Sequence, residues 1–190
     1  MNLCGYAMIA LLLYICLKIV QEPDLFNLKC ISTVYVFCYG ELINLNTVKQ
    51  IKKPKESCPV IINDLKRSLN VMGKDNLVFG IKDVKNELCN GVLIKVTPAE
   101  LTRLQRREKL YTLKTLDKRN VEFPYKKTLR FNSSDMIVAF YPKATYVLTR
   151  NELMTKQSFK SQDYLNICEA GAAEISREFY NDFMETTTVI

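Results

Sequence analysis

Asn90 to Tyr111, NGVLIKVTPAELTRLQRREKLY, constrains the chain most, because it dictates a strand, a sharp helix start and a buried acid in succession. Gly91-Val92-Leu93-Ile94-Lys95-Val96 is apolar and β-branched, which predicts a strand. Thr97-Pro98-Ala99-Glu100 predicts a helix start, with Thr97 as N-cap, Pro98 at the first helical position and Glu100 at N3, closing a capping box. Leu101, Leu104 and Glu108 follow at i, i+3 and i+7 and share one face, the one expected to be buried. Glu108 is then a carboxylate at the end of an apolar stripe and near a helix C-terminus, where the macrodipole disfavours negative charge. Both effects raise its pKa, which suits an acid that exchanges protons near neutral pH. The competing reading is a rim residue paired with Arg106, Arg107 or Lys109.

The chemistry open to such an acid is narrowed by composition. The chain has no histidine, which removes an imidazole base, Ser-His and Cys-His couples and His-containing zinc sites. The cysteines at 4, 16, 30, 38, 58, 89 and 168 form no CxxC pair, so zinc and dithiol chemistry are weakly supported and most of these thiols read as small buried apolar residues in a reducing compartment. No metal site and no cofactor are expected. With 190 residues, 48% of them hydrophobic, the chain has enough for one sizeable core.

Residues 1–29 read as an N-terminal hydrophobic segment and linker ahead of a domain over residues 30–190. Leu3 to Val20 is apolar except for Gly5 and Lys18, and Ala7 to Leu17 has the length of a signal-peptide h-region. With its flanks it approaches the length of a signal anchor, yet no Lys or Arg precedes it and no clear small-x-small cleavage site follows. A terminal helix packed on the domain, or an extension outside the fold, is the alternative. The expected location is therefore cytoplasmic, or membrane-associated or secretory, according to the role of that segment. Asn132-Ser133-Ser134 is a sequon of the kind that arises often by chance.

Ser32 to Tyr39 predicts a strand with Val34, Val36 and Cys38 on one side and Tyr35, Phe37 and Tyr39 on the other. Gly40 ends it in a tight turn, where glycine allows a sharp change of direction and backbone amides can face a ligand. Further strands are predicted at Cys58–Asn63, Asp64–Val71, Asn76–Lys82, Lys109–Leu116, Ile137–Pro142 and Ala144–Thr149. Many short strands with few helices give an α+β domain with a small, strongly curved sheet or barrel. Toward the C-terminus, Ser161 is expected to cap a helix from Gln162 to about Glu174, with Tyr164, Ile167, Cys168 and Gly171 close to one face. Ser176 is expected to cap a second helix that carries Phe179, Tyr180 and Phe183 toward the core.

Three separated pieces together resemble the γ-glutamylcyclotransferase-like family. Val36 to Asn44, with Tyr39-Gly40-Glu41-Leu42, resembles its YGSL or YGSN loop; Arg107-Glu108 and Tyr111 are similar to its LDxRExxY pattern; Ser161 to Ala172 is similar to its PSxxYLxxxxxGA helix. The resemblance covers roughly Thr33 to Thr187. It implies a small mixed β-barrel with flanking helices and a pocket floored by the tyrosine-glycine loop. It also implies cyclisation of a γ-glutamyl peptide or amine to 5-oxoproline, with release of an amine or amino acid and no cofactor. On that footing Glu108 is the catalytic acid, Tyr39, Gly40, Glu41 and Leu42 form the substrate loop, Tyr164 lines the pocket and Arg107 shapes the surroundings of Glu108.

Two residues depart from the pattern. Glu41 replaces a small serine or asparagine and would repel a glutamyl carboxylate unless it points outward or pairs with a lysine, and Gln105 replaces an aspartate. A non-catalytic binding or regulatory module of the same fold is thus a second reading. A third, with less support, is a basic surface at Lys49–Lys55, Arg103–Lys109 and Lys126–Arg130 that binds nucleic acid or anionic lipid, in a chain of net charge +7.

Overall fold

A computed structural model describes residues 33–44, 56–125, 128–155 and 161–188. In chain order these form β1 (Val34–Cys38), a 3-10 turn (Glu41–Ile43), β2 (Ser57–Met72), β3 (Leu77–Val96), α1 (Pro98–Arg107), β4 (Tyr111–Leu116), β5 (Val121–Glu122), β6 (Met136–Pro142), α2 (Arg150–Thr155), α3 (Gln162–Ile175), α4 (Arg177–Glu185) and β7 (Thr187–Thr188). Leu3 to Val20 and Lys49 to Lys55 lie outside the described residues. Among the described residues, no helix is long and apolar enough to cross a membrane.

The strands make one seven-stranded mixed sheet in the order β4-β6-β1-β3-β2-β5, with β7 beside β2. β1 runs antiparallel to β3 and parallel to β6, so it is an inner strand. In that position both of the faces read from its sequence are covered, and every residue from Val34 to Cys38 is buried. The helices flank this mixed sheet, as the α+β reading expects.

The longest feature is the hairpin of β2 and β3, paired from Ser57–Ile94 to Met72–Leu77 with shifts of register after Asn63 and after Leu69. Asn63-Asp64 reads in the sequence as a break between two strands. In the structure it is a bulge: pairing passes from Asn63–Leu88 to Leu65–Asp83. Asp64 (φ 59°) and Asn86 (φ 63°) take left-handed backbone there. Both belong to the short polar types that tolerate this conformation, and the Asn86 N–H donates to Asp64 Oδ1 at 2.9 Å. The expected strands at Asn76–Lys82 and Gly91–Val96 are likewise one strand, β3. Its continuity puts Phe79, paired with Leu69 of β2, and Val96, paired with Val34 of β1, on a single strand.

The capping box at Thr97 forms as the sequence predicts. Thr97 Oγ1 accepts from the Glu100 N–H at 3.3 Å, and Glu100 Oε2 accepts from the Thr97 N–H at 2.9 Å. Leu101 and Leu104 of α1 are buried while its other side is exposed. Ser176 also caps as expected, accepting from the Phe179 N–H at 3.0 Å.

Other expectations are corrected. Ser161 makes no cap bond to α3; its Oγ instead accepts from the Leu77 N–H at 3.1 Å, which ties the helix start to β3. Ala144 to Thr149 is not a strand: Ala144–Tyr146 is a 3-10 turn and only Val147 bridges to Val71, because the chain leaves the β4 ladder after Pro142 and crosses toward β2. Ile167 and Tyr180 are half-buried, leaving Tyr164, Cys168, Gly171 and Ala172 on the buried face of α3 and Phe179 and Phe183 on that of α4. Cys38, Cys58, Cys89 and Cys168 are buried and form no disulfide, as small apolar residues would be.

Candidate active site

The site is built where β1 ends. Cys38 is the last residue of its ladder, and the chain turns through Tyr39 and Gly40 into the 3-10 turn, closed by Ile43 N–H to Gly40 O at 2.9 Å and Asn44 N–H to Glu41 O at 3.0 Å. The amides that open such a turn have no intrahelical acceptor, which leaves them free to face an anion.

Tyr39 itself is an anchor. Its ring is buried, its hydroxyl donates to Phe140 O, and its carbonyl accepts from Arg67 Nη1 at 3.1 Å. Gly40 has φ −126° and ψ −137°, so left-handed backbone is not the reason for glycine here. The reason is space, since a Cβ at Gly40 would lie 2.6 Å from Tyr164 Oη. That hydroxyl in turn accepts from the Phe79 N–H at 3.1 Å, which fixes α3 against β3 beside the turn.

Glu108 approaches from α1. It is the residue that ends the helix, its N–H donating to Leu104 O at 2.8 Å and its carbonyl accepting from the Tyr111 N–H at 3.0 Å. Its backbone is therefore held on both sides, while 15% of its side chain is exposed. Burial raises the Glu108 pKa above the ordinary carboxylate value, and the neighbouring Arg107 pulls the other way. Burial also pushes up Cys38, Tyr39, Tyr111 and Tyr164, with the charge of Glu108 adding to the first three. Those groups stay neutral near pH 7, which leaves Arg107 as the charged group that acts against the effect of burial on Glu108.

Glu41 does not stand alone. Arg107 Nη2 bonds to Glu41 Oε1, and Arg107 Nε lies 3.5 Å from Glu108 Oε1. The carboxylate that the sequence sets in place of a small residue is thus paired, with an arginine rather than a lysine. Gln105 is exposed on α1.

Tyr39, Gly40, Glu41, Leu42, Glu108 and Tyr164 all line one pocket of about 310 Å³. The structure brings together every site residue named from the sequence, from three segments far apart in the chain. Tyr111 and Phe79 add to the wall, joined by a bond from Tyr111 Oη to Phe79 O at 2.8 Å that ties the start of β4 to β3. Tyr111 has its signal in the RExxY spacing. Among the described residues, no group of three or more Cys, Asp or Glu side chains is arranged to hold a metal ion.

Sequence reasoning missed Arg67. It is fully buried, donating to Tyr39 O, Asn90 O, Asn90 Oδ1, Phe183 O, Thr186 Oγ1 and Thr187 Oγ1, with its guanidinium 3.9 Å from the centre of the Phe183 ring. The signal was there in the alternation Leu65, Arg67, Leu69, which puts Arg67 on the inward side of β2.

No family model matches the sequence, and neither does any curated protein. The likeness is structural. A gamma-glutamyl cyclotransferase superposes with a TM-score of 0.57 at 13% identity, over 82% of this chain and 88% of that one. A yeast gamma-glutamyl cyclotransferase specific to glutathione gives 0.55 at 17% identity, over 82% and 95%. YkqA from Bacillus subtilis gives 0.56 at 15% identity over 88% of this chain, which spans only 56% of YkqA. At these identities the likeness is one of fold: the chain has the γ-glutamylcyclotransferase-like fold, which agrees with the resemblance carried by the three sequence pieces.

Proposed function

We propose that this chain is a γ-glutamylcyclotransferase, with residues 30–190 as its catalytic domain and Glu108 as the residue that moves the proton. The observation that carries this reading is Glu108, a half-buried carboxylate with a raised pKa, in one pocket with the turn after Tyr39.

In this reading the amides after Tyr39 hold the substrate α-carboxylate, and the walls formed by Tyr111, Phe79 and Tyr164 fold the γ-glutamyl chain back on itself. The α-nitrogen, as its ammonium loses a proton to Glu108, attacks the γ-carbonyl carbon. A carbon–nitrogen bond forms to close the five-membered lactam, and the bond from that carbon to the leaving nitrogen breaks. Glu108 returns that proton to the leaving nitrogen, and the attacking nitrogen sheds its second proton to the same amine as the ring closes, so the products are 5-oxoproline and the amine as its ammonium ion. The reaction needs no cofactor, because nucleophile and electrophile belong to one substrate. A pocket of about 310 Å³ is at the small end for ligand sites and suits a γ-glutamyl group better than an extended ligand.

The test is 5-oxoproline release by the full chain from γ-glutamyl dipeptides, γ-glutamyl amines and glutathione. Glu108→Gln keeps the shape of the pocket and removes the base, so it is expected to lower kcat at least about 100-fold with circular dichroism unchanged. Equal turnover by the folded variant defeats the assignment of Glu108.

A further inference from the structure

Arg107 sits between two carboxylates and is satisfied by neither in full. Its Nη2 bonds to Glu41 Oε1, while its Nε is 3.5 Å from Glu108 Oε1, longer than an ordinary N–H···O hydrogen bond. Its Nη1 is buried and has no hydrogen-bond partner among the described residues. A guanidinium beside a carboxylate prefers a two-pronged fork, which is its strongest and most directional contact. Glu108 is the adjacent residue and within reach, yet the fork does not form. The carboxylate that does bond the guanidinium is Glu41, from the 3-10 turn after β1.

We propose that Glu41 is a positioning residue for Glu108: it anchors the Arg107 guanidinium at its outer edge, prevents a fork onto Glu108, and leaves that carboxylate free to exchange a proton. This rests on the reading of Glu108 as the proton-transfer residue. Glu41 is then an adapted residue of a working site.

The surroundings of Glu108 leave Arg107 as the contact to control. The ionisable groups in the same pocket are Cys38 and Tyr39 at the end of β1, Tyr111 at the start of β4, Tyr164 on α3, Lys109 in the following turn, and Glu41 with Arg107 themselves. The cysteine and the tyrosines are kept neutral by burial. Among the charged groups it is Arg107 whose field draws Glu108 toward its ionised form. A full fork would strengthen that pull and make a weaker base.

The experiment is a titration of Glu108 in the full chain, carbon-13 labelled at glutamate side chains, for wild type, Glu41→Gln, Arg107→Gln and the double variant. Glu41→Gln is expected to lower the Glu108 midpoint by about half to one pH unit, and Glu41→Ser to reproduce the direction. In the Arg107→Gln background the same Glu41 change should move it by less than about 0.2 unit, because its route has been removed. The acidic limb of the rate profile should move with the midpoint, and kcat should fall more than KM rises. An unmoved midpoint in both folded Glu41 variants overturns the proposal, as does an equal shift with and without Arg107. If wild type makes no 5-oxoproline while the midpoint still shifts through Arg107, the proposed activity fails and the positioning role stands.

Discussion

A carboxylate tuned to exchange protons is, at the scale of one residue, a carboxylate badly placed for stability. Glu108 has little exposed surface, a helix end behind it and neutral aromatic hydroxyls around it. Its folded-state pKa lies above its unfolded value, so the folded protein binds the proton more tightly than the unfolded chain does. Below the unfolded pKa both forms are protonated and the penalty is absent. As pH rises from there through the raised folded pKa, stability is lost, and above it the full penalty of a buried charge remains. Glu108→Gln carries no such charge. We therefore expect the variant to unfold at a higher urea concentration than wild type at pH 8, and the gap to narrow toward pH 4. A gap that does not change with pH would mean that the charge of Glu108 is fully solvated or compensated in the native state. On the proposed role of Glu108, activity and stability pull apart at this position, as is common where a site must be strained or desolvated to work.

Elements explain why isolated sequence pieces meet. Helix α3 presses on the turn after β1 with two residues of one face: Tyr164 fills the space left by Gly40, and Gly171 lets the backbone of Asn44 approach. A Cβ at Gly171 would lie 2.7 Å from Asn44 N and 2.8 Å from Asn44 Cα, so relief requires movement of backbone. Gly171→Ala is expected to destabilise the protein by about 1–3 kcal/mol and, by shifting the turn that carries Glu41 and Leu42, to raise KM for any γ-glutamyl substrate. Chemical denaturation and steady-state kinetics on the same preparation check both, and an unchanged KM would separate the turn from substrate binding. The capping box at Thr97 and the cap at Ser176 were legible because local chemistry demanded them, whereas the need for glycine at 171 comes from Asn44, a distant part of the chain. The bulge at Asp64 was not legible either, because a polar pair inside a strand looks the same as a strand break until the partner strand is known. Ser161 misled for a related reason: a serine before a helix satisfies its hydroxyl at the nearest donor, which the fold supplies from β3 as Leu77 N–H.

The whole molecule is closed by contacts that no local pattern announces. Residues of β1 pair with β6 about a hundred positions later, and the C-terminal Thr186 and Thr187 return to Arg67 on β2. Arg67 shows what the sequence conceals: alternation puts its side chain inward, while its charge argues for the surface, and the conflict is settled only when carbonyls and hydroxyls from three other segments gather around it. Through it the chain's end is linked to the site, because the same guanidinium that binds Thr186 and Thr187 also holds Tyr39 O. Ending the chain at Glu185 would remove both threonines and the pairing of β7 with β2, and take from a buried cation two of its hydrogen bonds, leaving Nε without a partner. The loss expected is about 3 kcal/mol or more, since hydrogen bonds to a charged group contribute about 1.5–3 kcal/mol each. Because Tyr39 shares the guanidinium, 5-oxoproline release should fall further than the folded fraction does. Arg67→Met should cost less in the shortened chain than in the full one, by about 1 kcal/mol or more, if the arginine is the link. Equal costs in the two chains would show that the C-terminal strand stabilises the protein through β2 alone and has no hold on the site.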